Sequence, residues 1–138
     1  MTVIAFTDGA SRGNPGESGI GIILKDETGN VLFSGGGYLG KATNNTAEYQ
    51  ALIACLKKAY EIQCEKLVVH SDSELMVRQM QGTYKIKDKN LQRYAQEVRK
   101  LVGEAAFTFE IKHIAREENH DADMLANAGI DSRQTLRI

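Results

Sequence analysis

A single α/β domain, built on a mixed five-stranded sheet with flanking helices, is the fold class this sequence predicts. Three observations carry it. Three strand-like segments joined by turns open the chain, the apolar period then lengthens to that of a helix, and a short apolar strand follows that helix. A helical crossover of this kind joins parallel strands, and sheets of this order pack with helices on their faces. The 138 residues, 42% hydrophobic and 25% charged, suit one soluble domain with one core.

The elements follow in order. Residues 3–8 are almost wholly apolar until Thr7, as in a buried central strand ending at Asp8 and Gly9. Arg12-Gly13-Asn14-Pro15-Gly16 is dense in turn formers. Strands are predicted over 19–25 and 31–38, completing an antiparallel meander, with Gly19 and Gly21 on one face where a neighbouring element can approach. Leu52, Cys55, Leu56 and Ala59 form one stripe of a helix over 46–62, with Asn45 placed to cap it. A strand over 66–71, a short helix over 73–81 stopped at Gly82, a helix over 91–102, a strand over 107–114 and a helix over 119–130 complete the fold. The domain is expected to occupy residues 1–131, with 132–138 as a tail.

Met1 leads into Val3, Ile4 and Phe6 without a basic leader, and no apolar run approaches the length of a bilayer span. A cytoplasmic protein with no membrane partner is expected. Cys55 and Cys64 have no second pair to complete a tetrahedral zinc site, and neither a structural zinc nor a disulfide is expected. The net charge of −1 does not by itself point to a polyanion. Charge placement is more informative: residues 78–100 hold seven basic side chains (Arg78, Lys85, Lys87, Lys89, Arg93, Arg99 and Lys100) against two acids, Asp88 and Glu97. A solvated helix face and a phosphate-binding surface both fit that excess.

Four carboxylates carry the chemistry. Asp8 ends the first strand and Asp72 follows the fourth, so parallel pairing of those strands brings the two acids out at one edge, where ligands collect in open α/β sheets. Glu48 lies one turn before Leu52 on the stripe that faces the sheet. Asp123 lies three and seven residues before Ala126 and Ile130, in the first turns of the last helix. Each has an ordinary explanation: a turn at Asp8-Gly9, a capping box of Asn45 with Glu48, helix N-termini at Asp72 and Asp123. Together they would repel one another at a half-buried edge unless cations neutralise them. Oxygen donors without a required cysteine or histidine suit Mg²⁺ or Mn²⁺, and a pair of such ions serves in-line phosphodiester hydrolysis. No Ser/His/Asp set, phosphate loop or dinucleotide fingerprint competes.

Phe6-Thr7-Asp8-Gly9-Ala10, Gly13-Asn14-Pro15-Gly16, Thr43-Asn44-Asn45-Thr46-Ala47-Glu48, Ser71-Asp72-Ser73 and Arg116-Glu117-Glu118-Asn119, continuing to Ala122-Asp123-Met124-Leu125-Ala126, resemble type 1 ribonuclease H. The ordered set runs from Phe6 to about residue 129. The resemblance implies a ribonuclease H-like fold and cleavage of the RNA strand of an RNA/DNA hybrid, leaving 3′-hydroxyl and 5′-phosphate ends. It implies Asp8, Glu48, Asp72 and Asp123 as ligands of two Mg²⁺ ions, with Mn²⁺ as an alternative. It also implies hybrid binding by Gly9, Asn14, Asn44 and Asn45, consistent with the need to recognise 2′-hydroxyls and phosphates rather than bases. Asn14 as a plain turn residue stands beside that.

Two departures from the family pattern matter. Residues 82–90 are short and lack tryptophan, where many relatives carry a basic, aromatic-rich protrusion, so the chain is similar to a compact subgroup. Tyr84 is a candidate stacking side chain, and weak, salt-sensitive binding is expected. Counting back from Asp123, His113 has a suitable offset for the catalytic histidine that many relatives carry. His113 follows Phe107, Phe109 and Ile111 at strand spacing and is expected to pack in the core. Arg116, seven residues before Asp123, resembles the arginine of compact relatives and is the candidate for assisting the metal site or the product phosphate. His120 is expected to be exposed, and His70 has no assigned role. A monomer suffices for such a site, and double-stranded RNA is a further candidate substrate. A non-cleaving hybrid-binding module and a 3′ to 5′ exonuclease are the competing readings. Retention of all four acids disfavours the first, and the absence of an Asp-x-Glu pair on the first strand disfavours the second.

Overall fold

The computed structural model of the chain describes residues 1–136. Among them lies a five-stranded sheet formed by β1 (Thr2–Gly13), β2 (Gly16–Lys25), β3 (Val31–Ala42), β4 (Lys66–Ser71) and β5 (Thr108–His113). The strand order is β3-β2-β1-β4-β5. The β1–β2 and β2–β3 pairs are antiparallel, whereas β1–β4 and β4–β5 are parallel, as the sequence predicts. The helices are α1 (Asn44–Ile62), α2 (Glu74–Met80), α3 (Lys89–Glu104) and α4 (His120–Ser132), with a 3₁₀ turn at Arg116–Asn119 leading into α4. None of these helices is long and apolar enough to cross a membrane.

The core lies between the sheet and α1. Val3 and Ala5 of β1, Ile20, Ile22 and Leu24 of β2, and Leu67 and Val69 of β4 meet Leu52, Cys55, Leu56 and Ala59 of α1 in one buried cluster. Alternation along each strand sends these side chains to one face. Helix α3 covers α1 with Leu91, Ala95 and Val98, and is capped by Asp88, whose side chain accepts from the N–H groups of Asn90 and Leu91. Both cysteines are buried and free.

The opposite face of β2 is built for close approach. The Cβ of any other residue at Gly21 would lie 2.1 Å from the Ala122 carbonyl oxygen, and one at Gly19 would lie 2.4 Å from that of Ala126. Both carbonyls belong to α4, which is therefore the neighbour that the spacing of Gly19 and Gly21 anticipates. Only a residue without Cβ lets the helix backbone touch the strand there.

Several boundaries differ from the sequence expectation: β2 starts at Gly16 and β3 runs on to Ala42, and α3 extends by two residues at each end. Strand β1 continues to Gly13, because β2 pairs with it through Gly13↔Gly16, whereas the parallel ladder to β4 stops at Thr7↔Ser71. Helix α1 begins at Asn44 and is capped by Thr43, whose hydroxyl accepts from the N–H of Thr46; Asn45 sits exposed in the first turn. The segment after α4 lies against β3: the Tyr38 N–H donates to the Gln134 carbonyl at 2.8 Å, and a Cβ on Gly37 would meet Leu136 at 2.6 Å. Residues 137 and 138, the end of the expected tail, lie outside the described residues.

Gly21→Ala is expected to lower stability by about 2 kcal/mol, in the range of overpacked cores, because α4 must shift to admit the methyl group. Urea denaturation measures it, and an unchanged midpoint would show that α4 does not seat on β2 as described.

Candidate active site

The site begins where a ladder ends. The last parallel partners of β1 and β4 are Thr7 and Ser71, so Asp8 and Asp72 are the next residues on neighbouring strands and emerge side by side at the carboxyl edge. Asp8 remains held by its antiparallel partner Gly21. Past Asp72 the chain turns into α2, with the Ser73 N–H donating to Ser71 Oγ at 3.1 Å and the Ser73 hydroxyl capping Met76.

Glu48 comes to the same edge from α1. Its Oε1 accepts from the Gly9 N–H at 2.8 Å. A Cβ on Gly9 would lie 2.3 Å from the Ala47 carbonyl carbon, so glycine is what allows the first turns of α1 to rest on β1. The start of that helix is fixed by a second contact across the chain: Asn14 Oδ1 accepts from the Asn44 N–H at 3.0 Å, satisfying a first-turn donor that has no partner within the helix.

Asp8, Glu48 and Asp72 each offer an oxygen within 4.8 Å of the others, a group able to hold a metal ion. Asp123, on the first turn of α4, lines the same open cleft of about 350 Å³ as Asp8, Glu48 and Asp72. Asn44, Ser73, Arg116 and Asn127 contribute to its walls. The four acids and Arg116 are thus brought together, with Gly9 and Asn44 also lining the cleft, whereas Asn14 and Asn45 do not line it.

The electrostatics are those of an under-neutralised cluster. Asp8 and Glu48 are nearly inaccessible, at 4% and 5% relative exposure. Burial, then Glu48, Asp72 and Asp123, push the Asp8 carboxyl up to about 9. Burial and Asp72 push Glu48 up to about 8, against the opposing pull of the Gly9 N–H and Arg116. Two buried carboxyls that keep their protons near neutrality mark a site short of positive charge. Hard oxygen donors of this kind suit a divalent cation.

His113 corrects the sequence expectation. It is exposed, and the buried side of β5 ends at Ile111. Its strand partner is Ser71, the last residue of β4, so the sheet stops where His113 stands and no layer covers it. His120 is exposed as expected, and His70 stacks on Phe6 at 4.8 Å with its Nδ1 against the Ala5 carbonyl, away from the acids.

Two asparagines were not assigned site roles from the sequence. Asn119 is 1% exposed, and its Nδ2 donates to the Thr7 carbonyl at 2.8 Å and to Asp72 Oδ2 at 3.5 Å, tying the ends of β1 and β4 to the turn before α4. Asn127, one turn after Asp123, donates to its Oδ1 at 3.3 Å. The spacing of four residues from Asp123 on either side was the available signal.

The raised acids set a pH dependence. Each binds its proton more tightly folded than unfolded, so the stability it contributes is present below the unfolded value near 4 and is lost as pH rises through about 8 to 9. In chelator, the melting temperature is expected to fall between pH 6 and 9, and millimolar Mg²⁺ or Mn²⁺ is expected to restore it most at the alkaline end. Scanning calorimetry with and without the cation tests this; a melting temperature that rises with pH in chelator would contradict the charge assignment.

A family model described as reverse transcriptase-like matches residues 6–129. Ribonuclease HI of Halobacterium salinarum is 39% identical over 130 residues, covering 94% of this chain and 64% of that protein. The chain thus spans under two thirds of that relative's length, and 36% of a bifunctional Mycobacterium tuberculosis protein to which it is 35% identical. Among solved structures, LC11-RNase H1 in complex with RNA/DNA hybrid superposes with a TM-score of 0.91 at 41% identity, covering 94% of this chain and 97% of that one. The N-terminal RNase H domain of the mycobacterial protein superposes with a TM-score of 0.89 at 35% identity, covering 95% and 100%. A family match over residues 6–129, a relative 39% identical and solved structures superposing at TM-scores of 0.89 and 0.91 mean that the chain belongs to the type 1 ribonuclease H family.

Proposed function

We propose that this chain is an endoribonuclease that hydrolyses the RNA strand of RNA/DNA hybrids, using Mg²⁺ or Mn²⁺ and leaving 3′-hydroxyl and 5′-phosphate ends. The observation that carries the reading is the convergence of Asp8, Glu48, Asp72 and Asp123 in an open cleft at the sheet edge. A relative of 41% identity binding an RNA/DNA hybrid supports the substrate class.

In this reading Asp8, Glu48, Asp72 and Asp123 hold two divalent cations. When bound, such ions activate the attacking water and neutralise charge on the leaving oxygen. The chain's own residues do the rest. Burial and the Gly9 N–H fix Glu48, and Asn119 steadies Asp72, so the carboxylates are in place before the substrate arrives. Arg116, exposed at the cleft wall, provides a fixed positive charge for the scissile or product phosphate. Gly9 and Asn44 in the lining of the cleft, with Asn14 and Asn45 beside them, contact the hybrid through sugar and phosphate; Asn14 in addition holds the Asn44 backbone.

The connection between α2 and α3 covers eight residues, from the C-cap Gln81 to the N-cap Asp88, so no protrusion extends the binding surface there. The basic residues of positions 78–100 and Tyr84, 44% exposed, supply a smaller one. Double-stranded RNA is a weaker candidate substrate that the same assay tests, and a monomer is sufficient for the chemistry.

Asp8→Asn and Asp72→Asn are each expected to reduce cleavage of an end-labelled hybrid by about a thousandfold or more while the fold is retained or stabilised, since each removes charge from a crowded cluster. EDTA is expected to abolish activity. Wild-type rates in either variant would remove the ligand assignment, and stepwise loss from a 3′ end would favour an exonuclease. Arg116→Ala is expected to lower kcat by about tenfold, with Arg116→Lys recovering part of it. Hybrid affinity, measured by fluorescence anisotropy, is expected to fall steeply between 50 and 200 mM salt, on the order of tenfold or more. Salt-independent binding would rule out the phosphate surface.

A further inference from the structure

Three of the four acids are fixed by the sheet and by α1, but Asp123 stands outside the tight group and depends on α4 for its place. We propose that Arg12 is a positioning residue for Asp123, acting through the side-chain amide of Asn127. The inference rests on the reading of Asp123 as a cation ligand.

Asp123, Asn127 and Asp131 recur every four residues and so form one stripe along α4. Arg12, near the far end of β1, spans the last two of them. Its Nη1 donates to Asp131 Oδ1 at 2.6 Å, and its Nη2 lies 3.5 Å from the Asn127 carbonyl oxygen and 3.4 Å from Asn127 Oδ1. Asp131 anchors the guanidinium, and Asn127 receives its second edge.

A guanidinium can only donate, so it turns the amide oxygen of Asn127 towards itself. The amide nitrogen is left facing the other way, and it donates to Asp123 Oδ1 at 3.3 Å and to the Asp123 carbonyl at 3.1 Å. The reversed amide would place N–H groups against the guanidinium and an oxygen against a carboxylate, unfavourable at both ends. Arg12 thereby selects the one amide orientation that holds Asp123 by its side chain. The exposed Arg12–Asp131 pair adds little to stability by itself, which leaves orientation as its principal effect.

The same hairpin touches the other helix that carries an acid. Asn14 takes the Asn44 N–H at the start of α1, two residues after Arg12 reaches α4. The β1–β2 turn is thus joined to both helices that bring acids to the sheet edge.

The test is calorimetric titration of Mn²⁺ into substrate-free protein for wild type, Asp123→Asn, Asn127→Ala, Arg12→Ala, Arg12→Lys and the Arg12→Ala/Asn127→Ala double variant, with steady-state cleavage of a hybrid alongside. Circular dichroism confirms that each variant is folded. Asn127→Ala and Arg12→Ala are each expected to weaken Mn²⁺ binding by about tenfold with KM for the hybrid unchanged. The double variant is expected to be no weaker than Asn127→Ala alone, because Arg12 acts through the amide. Arg12→Lys, which still donates, is expected to recover most of the loss. Unchanged Mn²⁺ affinity or additive losses would overturn the inference. A raised KM with unchanged Mn²⁺ affinity would also overturn it, making Arg12 a direct contact for the nucleic-acid backbone. The ligand reading is tested separately by Asp123→Asn: wild-type Mn²⁺ affinity there would sink that reading and the inference with it, whereas a loss confined to Asp123→Asn would sink the inference alone.

Discussion

The parallel ladder between β1 and β4 stops at Thr7 opposite Ser71, and the next residues on the two strands are both aspartates. In any parallel pair, residues at the same height are neighbours, so the register alone sets Asp8 beside Asp72. The other acids arrive only because the sheet offers them room. Gly9 lets α1 descend until Glu48 accepts its N–H, and Gly21 lets α4 descend until Asp123 lines the same cleft as Asp8. A side chain at either position would move one helix outward and take its carboxylate with it.

This placement opposes the folded state. Two carboxyls with almost no exposure, close to two more, would each carry a charge poorly solvated by water and repelled by its neighbours. Their proton affinities rise into the neutral and alkaline range as a result. The core on the α1 side, with Ile22, Leu24, Leu52, Leu56 and Leu67 all within 1% of complete burial, supplies the apolar packing that tolerates such a site. In the proposed reading a divalent cation would convert the same repulsion into binding energy, so that the feature that costs stability would also serve the chemistry.

Holding the acids apart from one another and in place falls to uncharged side chains. Asn119 joins β1, β4 and the turn before α4; Asn14 joins the β1–β2 turn to α1; Asn127 joins α4 to Arg12. Amides suit this work because they donate and accept without adding charge to a cluster already rich in it. Each links elements distant in sequence, and so the site behaves as a property of the assembled sheet edge.

Local pattern determined much of this protein. The order of strands and helices, the parallel crossover, the strand-end positions of Asp8 and Asp72, the inward stripe carrying Glu48, and the glycines at 19 and 21 were all legible, because strand and helix periods and turn chemistry are local properties. What lay beyond them needed the third dimension. Thr43 and Asn45 are comparable caps on propensity; contacts across the chain, including Asn14 to the Asn44 N–H, favour the earlier start. The alternation through Phe107, Phe109 and Ile111 assigned His113 to a face, but a face is buried only where something covers it, and the sheet ends there. Asn119 and Asn127 read as ordinary helix-start and helix-surface residues until the fold places Thr7, Asp72, Asp123 and Arg12 around them. Periodicity gives the direction of a side chain, and only the packing of distant segments decides what it meets.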